Sequence, residues 1–343
     1  MQQLISSTTF SASVMAGLLA IGVAGHQSAG TNVQWSGLLD GSTQALYETQ
    51  FEANSAAQDL AVNAVGAVKY AIFGQASEGA IVGDDGWLFT SEELDVSPAF
   101  EENLAISAQR IADVAKVLEQ RGVLLLPVIV PDKAEIYAAH LGVKRPDATV
   151  GRRQALVALL GEAGLDPLDA AMPLRAAMGA QPVFMKDDTH WSPEGSRAVA
   201  QAIGQRLQSA QIARTEVKTQ ETGQRAFDGD LLQYVPTGTL RAWVGPEQQY
   251  IRTFETQVQS TVGLFGDAPV DVALVGTSFS AKPDWHFEEF LKHALQADVV
   301  NFAEEGKGPF APMEAFLASD FLTSTPPQVV IWEIPARYVS KEQ

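Results

Sequence analysis

Val123-Leu124-Leu125-Leu126-Pro127-Val128-Ile129-Val130 is an unbroken apolar run of strand length, set directly behind Arg121-Gly122. A run apolar on both of its alternating faces suits a parallel strand covered by helices on both sides, although Pro127 removes one backbone donor from it. Upstream, Leu104, Ile106, Ile111, Val114, Val117 and Leu118 recur at helical spacing between Phe100 and Gln120, and Arg121-Gly122 closes that helix. Downstream, Pro131-Asp132-Lys133-Ala134-Glu135 leaves the carboxyl end of the strand, where α/β folds collect functional groups. Lys133 reads there either as a solvated loop charge or as a site residue.

Further along, the same alternation continues. A helix is expected from Val150 to Ala163, and Pro182 to Met185 reads as a second short strand that delivers Lys186-Asp187-Asp188-Thr189-His190-Trp191. Ser192 is a good N-cap, Pro193 fits the first helical position, and residues 197 to 207 keep helical spacing. Asp271 to Val275 is strand-like and runs into Gly276-Thr277-Ser278-Phe279-Ser280, followed by a helix from Asp284 to Leu295, a strand from Val299 to Phe302, a helix from Pro312 to Leu322 and a last strand from Gln328 to Ile334. Strands alternating with helices predict an α/β fold with a mainly parallel sheet covered on both faces. Ala80 to Phe89 stands apart as a hairpin about an Asp-Gly turn, with Trp87 as a core anchor. Residues 211 to 262 are polar and read as a loop or insertion, with antiparallel strands between Arg241 and Val262 and Phe227 to Leu232 as the most ordered stretch.

Composition narrows the function. The chain has 343 residues, 46% hydrophobic, enough for a substantial core. A formal net charge of -18 without any run of Lys and Arg excludes nucleic acid as the expected partner. With no cysteine, disulfides, thiolate metal sites and cysteine nucleophiles are all absent. Residues 13 to 25 form an uncharged apolar run of signal-peptide length, with no Lys or Arg ahead of it, and are read as export signal or N-terminal membrane tether. From Asn32 to Phe73 the pattern is helical. The expected organisation is therefore 1–30 signal peptide or anchor, 31–74 helical segment and 75–343 main domain. No Gly-rich nucleotide fingerprint is present, and no cofactor is expected.

His190 beside two acids has three readings: metal ligand, catalytic base or satisfied surface residue. A metal site would need a second ligand at ligand spacing, and His286 and His293 complete no familiar set. A small-residue turn at the end of a strand, as at Gly276 to Ser280, can present a serine hydroxyl and its amide to a cleft. Ser278, His190 and an acid thus offer the components of nucleophilic acyl transfer.

Asp188-Thr189-His190-Trp191, Gly276-Thr277-Ser278-Phe279-Ser280, the Gly83 to Phe89 hairpin, Val130-Pro131-Asp132-Lys133 and Ile331-Trp332-Glu333-Ile334-Pro335 together resemble the SGNH-hydrolase-like domain of the alginate O-acetyltransferases AlgJ and AlgX, over roughly residues 75 to 340. The resemblance implies a three-layer α/β/α SGNH-like fold, circularly permuted so that the acid and histidine precede the nucleophile. It implies Ser278 as nucleophile, His190 as general base and Asp188 as its orienting acid, preferred over Asp187 by the Asp-x-His pattern. The Ser278 amide and the Gly306-Lys307-Gly308 turn are candidate oxyanion donors, and Lys133, Trp191 and Arg337 candidate substrate contacts, with Trp191 either stacking on a sugar or packing. Two positions depart from the family pattern: Lys307 where a Gly-richer turn is expected, and Ala336 where a Glu would precede Arg337. Because the last strand lies close to the end of the sequence, the expected architecture, without a C-terminal carbohydrate-binding module, is closer to AlgJ than to AlgX.

The implied activity is acetyl transfer to an exopolysaccharide in the periplasm, with the acetyl group relayed by a membrane-bound acyltransferase and with other polysaccharide secretion proteins as partners. The same triad would serve an acetyl-esterase, and a non-catalytic polysaccharide-binding scaffold is the reading from another class. An acidic protein handling polyanionic alginate would need a local basic groove, for which Lys144-Arg145 and Arg152-Arg153 are the candidates; a neutral glycan such as cellulose is the alternative.

Overall fold

A computed structural model describes residues 56–179, 181–258 and 270–342. The apolar run at 13–25 and the helical pattern before Ala56 lie outside the described residues. Among those described, no helix is long and apolar enough to cross a membrane. The chain divides into two compact units, one comprising residues up to Ser77 with Gln233–Glu247, the other Glu78–Leu232 with Gln248–Gln343. In the first, helix α1 (Ala56–Phe73) realises the last part of the expected helical segment.

The larger unit is built on a five-stranded, all-parallel sheet. Its strands are β3 (Leu124–Val130), β4 (Leu168–Asp169), β7 (Val272–Val275), β8 (Val300–Asn301) and β9 (Val329–Pro335), in the order β4-β3-β9-β7-β8. The continuous apolar runs are explained by two cores. Leu126, Val128, Val130, Val272, Leu274, Val329 and Ile331 face one core, whereas Ile129, Ala273, Val275, Val330, Trp332 and Ile334 face the other. Period-2 alternation therefore buries all of β7 and β9 and β3 from Leu126 onward, on one face or the other, while Leu124 at the start of β3 is exposed and the short edge strands β4 and β8 are half-buried. Helices α2 (Phe100–Glu119) and α3 (Arg152–Glu162) cover the second face with α7 (Phe310–Leu317). Helices α4 (Ala171–Ala177), α5 (Pro193–Arg206) and α6 (Phe287–Leu295) cover the first. The result is three layers, α/β/α.

Pro127 is accommodated by ladder direction. Leu124 N–H bonds toward β9 through Gln328 (2.9 Å), while the Ile129 carbonyl bonds away from β9 to Ala170 N–H (3.0 Å). Pro127 shares the side of Ile129, and β4 pairs with β3 only at Val128 and Ile129, so the missing N–H interrupts no pairing.

Two sequence expectations need correction. Pro182–Met185 is not a strand of the sheet: it forms a single antiparallel bridge, Phe184 to Trp191, with its own return segment. Met185 N–H to His190 C=O (3.1 Å) and Ser192 N–H to Val183 C=O (3.0 Å) close that loop, so its buried backbone is satisfied locally. Conversely, Val217–Phe227, expected as loop, is strand β5, paired antiparallel with β6 (Gln249–Val258). Its side chains are mostly exposed, so it carries no apolar alternation, and polar cross-strand pairs such as Thr219–Thr256 (Oγ1 to Oγ1, 2.7 Å) stand in for it. The expected hairpin at Ala80–Thr90 is present as β1 (Ala80–Val82) and β2 (Leu88–Thr90), with Trp87 buried.

The start of α5 fixes the closed loop in place. Ser192 Oγ accepts from Gly195 N–H at 3.2 Å, and a Cβ at Gly195 would overlap the Val183 carbonyl. Gly195→Ala is expected to lower stability by roughly 1–3 kcal/mol, the range for an overpacked interior site, readable as a drop in the chemical-denaturation midpoint at unchanged slope; an unaltered midpoint would show that the loop can move away.

Candidate active site

The closed 183–192 loop presents Asp188 and His190 on the same side, two residues apart. Asp188 Oδ1 accepts from both the His190 backbone N–H (2.8 Å) and the ring Nδ1 (2.6 Å), and Asp188 Oδ2 accepts from the Asp230 N–H (2.8 Å). Burial alone would raise the pKa of Asp188, but these hydrogen bonds and the adjoining imidazole hold it down at about 2. An ionised Asp188 keeps a proton on Nδ1, which leaves the Nε2 lone pair facing outward. Nε2 lies 2.7 Å from the Ser278 hydroxyl. Phe279 (4.7 Å between ring centres) and Trp285 (5.4 Å, stacked) flank the imidazole and set its plane.

Ser278 comes from the other half of the unit. Strand β7 ends at Val275, and after Gly276 and Thr277 the chain makes one helical turn, Ser278–Ala281. Glu333, buried in β9, underpins that turn: its carboxylate accepts from Thr277 N–H (2.8 Å), Thr277 Oγ1 (3.0 Å) and Ser280 Oγ (3.1 Å). A Cβ on Gly276 would stand 2.5 Å from Glu333 Oε2, so only glycine lets the turn sit this close to the acid. Burial raises the pKa of Glu333, opposed by these donors. The amide of Ser278 opens the turn, where a helical backbone offers it no acceptor.

Comparison with known proteins follows this geometry. Residues 80–336 match the family described as SGNH hydrolase-like domain, acetyltransferase AlgX. The chain belongs to this family. It is 36% identical over 320 residues to the probable alginate O-acetylase AlgJ of Pseudomonas aeruginosa PAO1, covering 88% of this chain and 81% of that protein. It is 27% identical to the alginate biosynthesis protein AlgX of Pseudomonas syringae pv. tomato, covering 74% of this chain and 54% of AlgX. Among solved structures, the O-acetyltransferase domain of Pseudomonas putida AlgJ superposes with a TM-score of 0.71 at 32% identity, covering 77% of this chain and 93% of that one.

Within this AlgX-family domain, several residues picked out in the sequence have other places than expected. Trp191 is fully buried and donates its indole N–H to the Phe279 carbonyl (3.1 Å), so it packs rather than stacks on a sugar. Arg337 is buried against the rings of Phe279 (5.3 Å) and Tyr338 (4.7 Å), with Nε 3.3 Å from Glu92. Gly306 and Gly308 adopt positive φ (74° and 64°), and Lys307 between them pairs with Glu304 (2.7 Å) at the surface. That segment joins the nucleophile turn through Glu304 N–H to the Gly276 carbonyl (3.1 Å). Asp188, not Asp187, meets the imidazole. The expected basic groove is not formed by Arg145, Arg152 and Arg153: all three are buried, the first two on Asp132 (3.1 and 2.7 Å), the third on Glu135 (2.7 Å) and Asp169.

Lys133 is neither solvated nor in contact with Ser278. Its buried ammonium donates to the carbonyls of Leu88 (2.5 Å), Lys186 (3.0 Å) and Asp188 (2.9 Å), tying the β2 hairpin to the acid-bearing loop. Burial lowers its pKa to about 8, opposed by Glu93 and the Asp188 cluster. Glu93 in turn accepts from the N–H groups of Lys133 (3.0 Å) and Ala134 (2.8 Å). Asp230 escaped the sequence analysis: its carboxylate anchors Thr189 N–H (2.8 Å) and reaches 3.6 Å from His190 Nδ1. Asp188, His190 and Asp230 each bring one possible metal-ligand atom within 4.8 Å of the others, but Nδ1 and both Asp188 oxygens already hold the hydrogen bonds above, an arrangement that suits a base and its orienting acid.

Lys133→Met removes the cross-tie while retaining the apolar stem; kcat is expected to fall by on the order of 10²-fold, as for displacement of a positioned group by about 1 Å, with KM little changed. A parallel rise in KM would indicate direct substrate contact instead. Burial pushes the Glu93 carboxyl up to about 7 from its ordinary 4.5. A carboxyl bound more tightly to its proton when folded lowers stability as it ionises, so the loss develops as pH rises from about 4.5 through about 7. Glu93→Gln cannot ionise; the melting temperature of the variant relative to wild type should therefore move upward between about pH 5 and about pH 8, and a downward shift would mean that ionised Glu93 stabilises the fold.

Proposed function

We propose that the protein is a polysaccharide O-acetyltransferase working through an acetyl-enzyme at Ser278. The observation that carries this reading is the continuous relay from Ser278 Oγ to His190 Nε2 (2.7 Å) and from Nδ1 to Asp188 (2.6 Å), in a chain whose AlgJ relatives are named alginate O-acetylases. Ser278 Oγ attacks the acetyl carbonyl as His190 Nε2 takes its proton, and Asp188 stabilises the imidazolium that forms. The carbonyl oxygen gains charge next to the Ser278 amide, a preorganised donor. Collapse breaks the bond to the donor's leaving oxygen, which takes the proton from His190. A sugar hydroxyl then attacks the acetyl-serine, gives its proton to His190, and leaves acetylated while Ser278 recovers its hydrogen.

The acceptor in this reading is alginate or a similar uronic-acid exopolysaccharide, by analogy with the named relatives. The acetyl donor is relayed by a membrane-bound acyltransferase, and the working compartment is the periplasm, with residues 13–25 as signal or tether. That Asp188 and His190 precede Ser278 in the chain is consistent with a circular permutation of an SGNH hydrolase.

Turnover of a chromogenic acetyl ester, with and without oligosaccharide acceptors, tests the mechanism. Ser278→Ala should lose on the order of 10³-fold or more, as for removal of a triad nucleophile, and wild type should place acetyl on an oligouronate. Unchanged turnover in Ser278→Ala removes the mechanism, whereas acetyl released only to water with every acceptor makes the protein an esterase.

A further inference from the structure

Arg197, on α5, differs from the arginines engaged inside the domain. Its guanidinium lies over the rings of Phe254 (4.4 Å) and Phe290 (4.7 Å). Among the described residues no carboxylate lies within 4.0 Å of it. The acids whose charge acts on it, Glu194 and Glu221, are instead paired with Arg252, at 3.2 and 3.5 Å. Arg197 lines a solvent-open pocket of about 240 Å³ between α5, the β5–β6 ribbon and α6, together with Gln201, Thr219, His293 and the acid Glu221. Ring faces fix the plane of the guanidinium and partly desolvate it, which leaves a preorganised fork of N–H donors at the pocket wall. Such a fork matches a carboxylate in two parallel hydrogen bonds.

Two of the elements around this pocket lead back to the surroundings of His190. Helix α5 starts from the Ser192 cap at the end of the histidine loop. Phe227, the last residue of β5, packs edge-on against Trp285 (5.3 Å), the ring that stacks on His190. With Arg145, Arg152 and Arg153 buried in ion pairs, Arg197 is a cationic group still open to a ligand.

We propose that this pocket is an acceptor subsite, in which Arg197 binds the carboxylate of a uronate residue of the polysaccharide chain. The inference rests on the O-acetyltransferase reading and deepens it, by selecting a polyanionic over a neutral acceptor. Gln201 and Thr219 supply neutral polar groups for ring hydroxyls, and Arg252, 3.5 Å from Glu221, offsets the one acid of the lining.

The test uses the full chain and three readouts: chromogenic acetyl-ester turnover, KM for oligomannuronate, and KM for a neutral oligosaccharide of equal length, each at low and high salt. Arg197→Gln is expected to leave ester turnover unchanged and to raise KM for oligomannuronate roughly 10- to 100-fold, the loss of a charge-assisted pair, with kcat nearly constant and the salt dependence reduced. Arg197→Lys, a charge without the fork, should recover part of the loss. An unchanged KM for oligomannuronate, or an equal loss for the neutral glycan, overturns the subsite. Either result leaves the acetyltransferase reading intact if Ser278→Ala is inactive, whereas an active Ser278→Ala removes that reading first. If Arg197→Gln lowers the melting temperature or ester turnover, exposed Gln201→Ala takes its place, with a rise in oligomannuronate KM expected and no change overturning the proposal.

Discussion

The constraint on which the structure depends is that two segments far apart in the chain must meet at hydrogen-bond distance, Ser278 on one and His190 on the other (2.7 Å). Neither segment is held by regular structure. The histidine lies in a closed loop with a single β-bridge, and the serine in a single helical turn. Each is instead tied to the sheet by a buried polar side chain. Lys133, just past β3, holds the acid loop through two carbonyls and the β2 hairpin through a third, and Glu333, within the adjoining β9, holds the serine turn through three donors. A buried polar group is costly to leave unpaired, so each side chain demands its full set of partners and thereby defines the position of the backbone that supplies them. Strands β3 and β9 run in register, with Val128 beside Glu333 and Ile129 beside Ile334, so the two anchors share one rigid base.

Much of this frame was legible in the sequence, because β3, β7 and β9 are apolar on both faces and only a parallel strand between two helical layers needs that. The same signal misled at Pro182–Met185, where Val183, Phe184 and Met185 are buried in a loop. A short apolar stretch reports burial, not pairing. Strand β5 was invisible for the opposite reason: Lys218, Gln220, Glu221 and Gln224 sit on a two-stranded ribbon whose faces meet water. Asp188, His190 and Ser278 were found by residue type and by family resemblance, and the geometry brings all three together. Glu333 left a usable signal, since one acid inside an otherwise apolar run must have buried partners. Asp230 left none, because its carboxylate meets Thr189 from a point 41 residues further along the chain, in a stretch without a legible pattern.

Charge distribution adds a constraint of its own. The chain carries a formal -18, and three of its arginines neutralise buried acids: Arg145 and Arg152 on Asp132, Arg153 on Glu135. These pairs knit the segment after β3 to α3. They hold the platform from which Lys133 projects, and they keep three cations away from any anionic substrate. Selectivity toward a polyanion therefore falls to individual placed groups rather than to a basic surface.

The central claim is that acetyl passes through Ser278. Its most direct test is to mix the protein with an activated acetyl ester, quench in acid within a turnover, and map acetylated peptides by mass spectrometry. Acetyl on Ser278 alone, accumulating in wild type, absent in His190→Ala, and discharged when an oligosaccharide acceptor is added before the quench, is the predicted result. Transfer to the acceptor without any acetyl on Ser278, or acetyl on another residue that discharges at the rate of turnover, would contradict it.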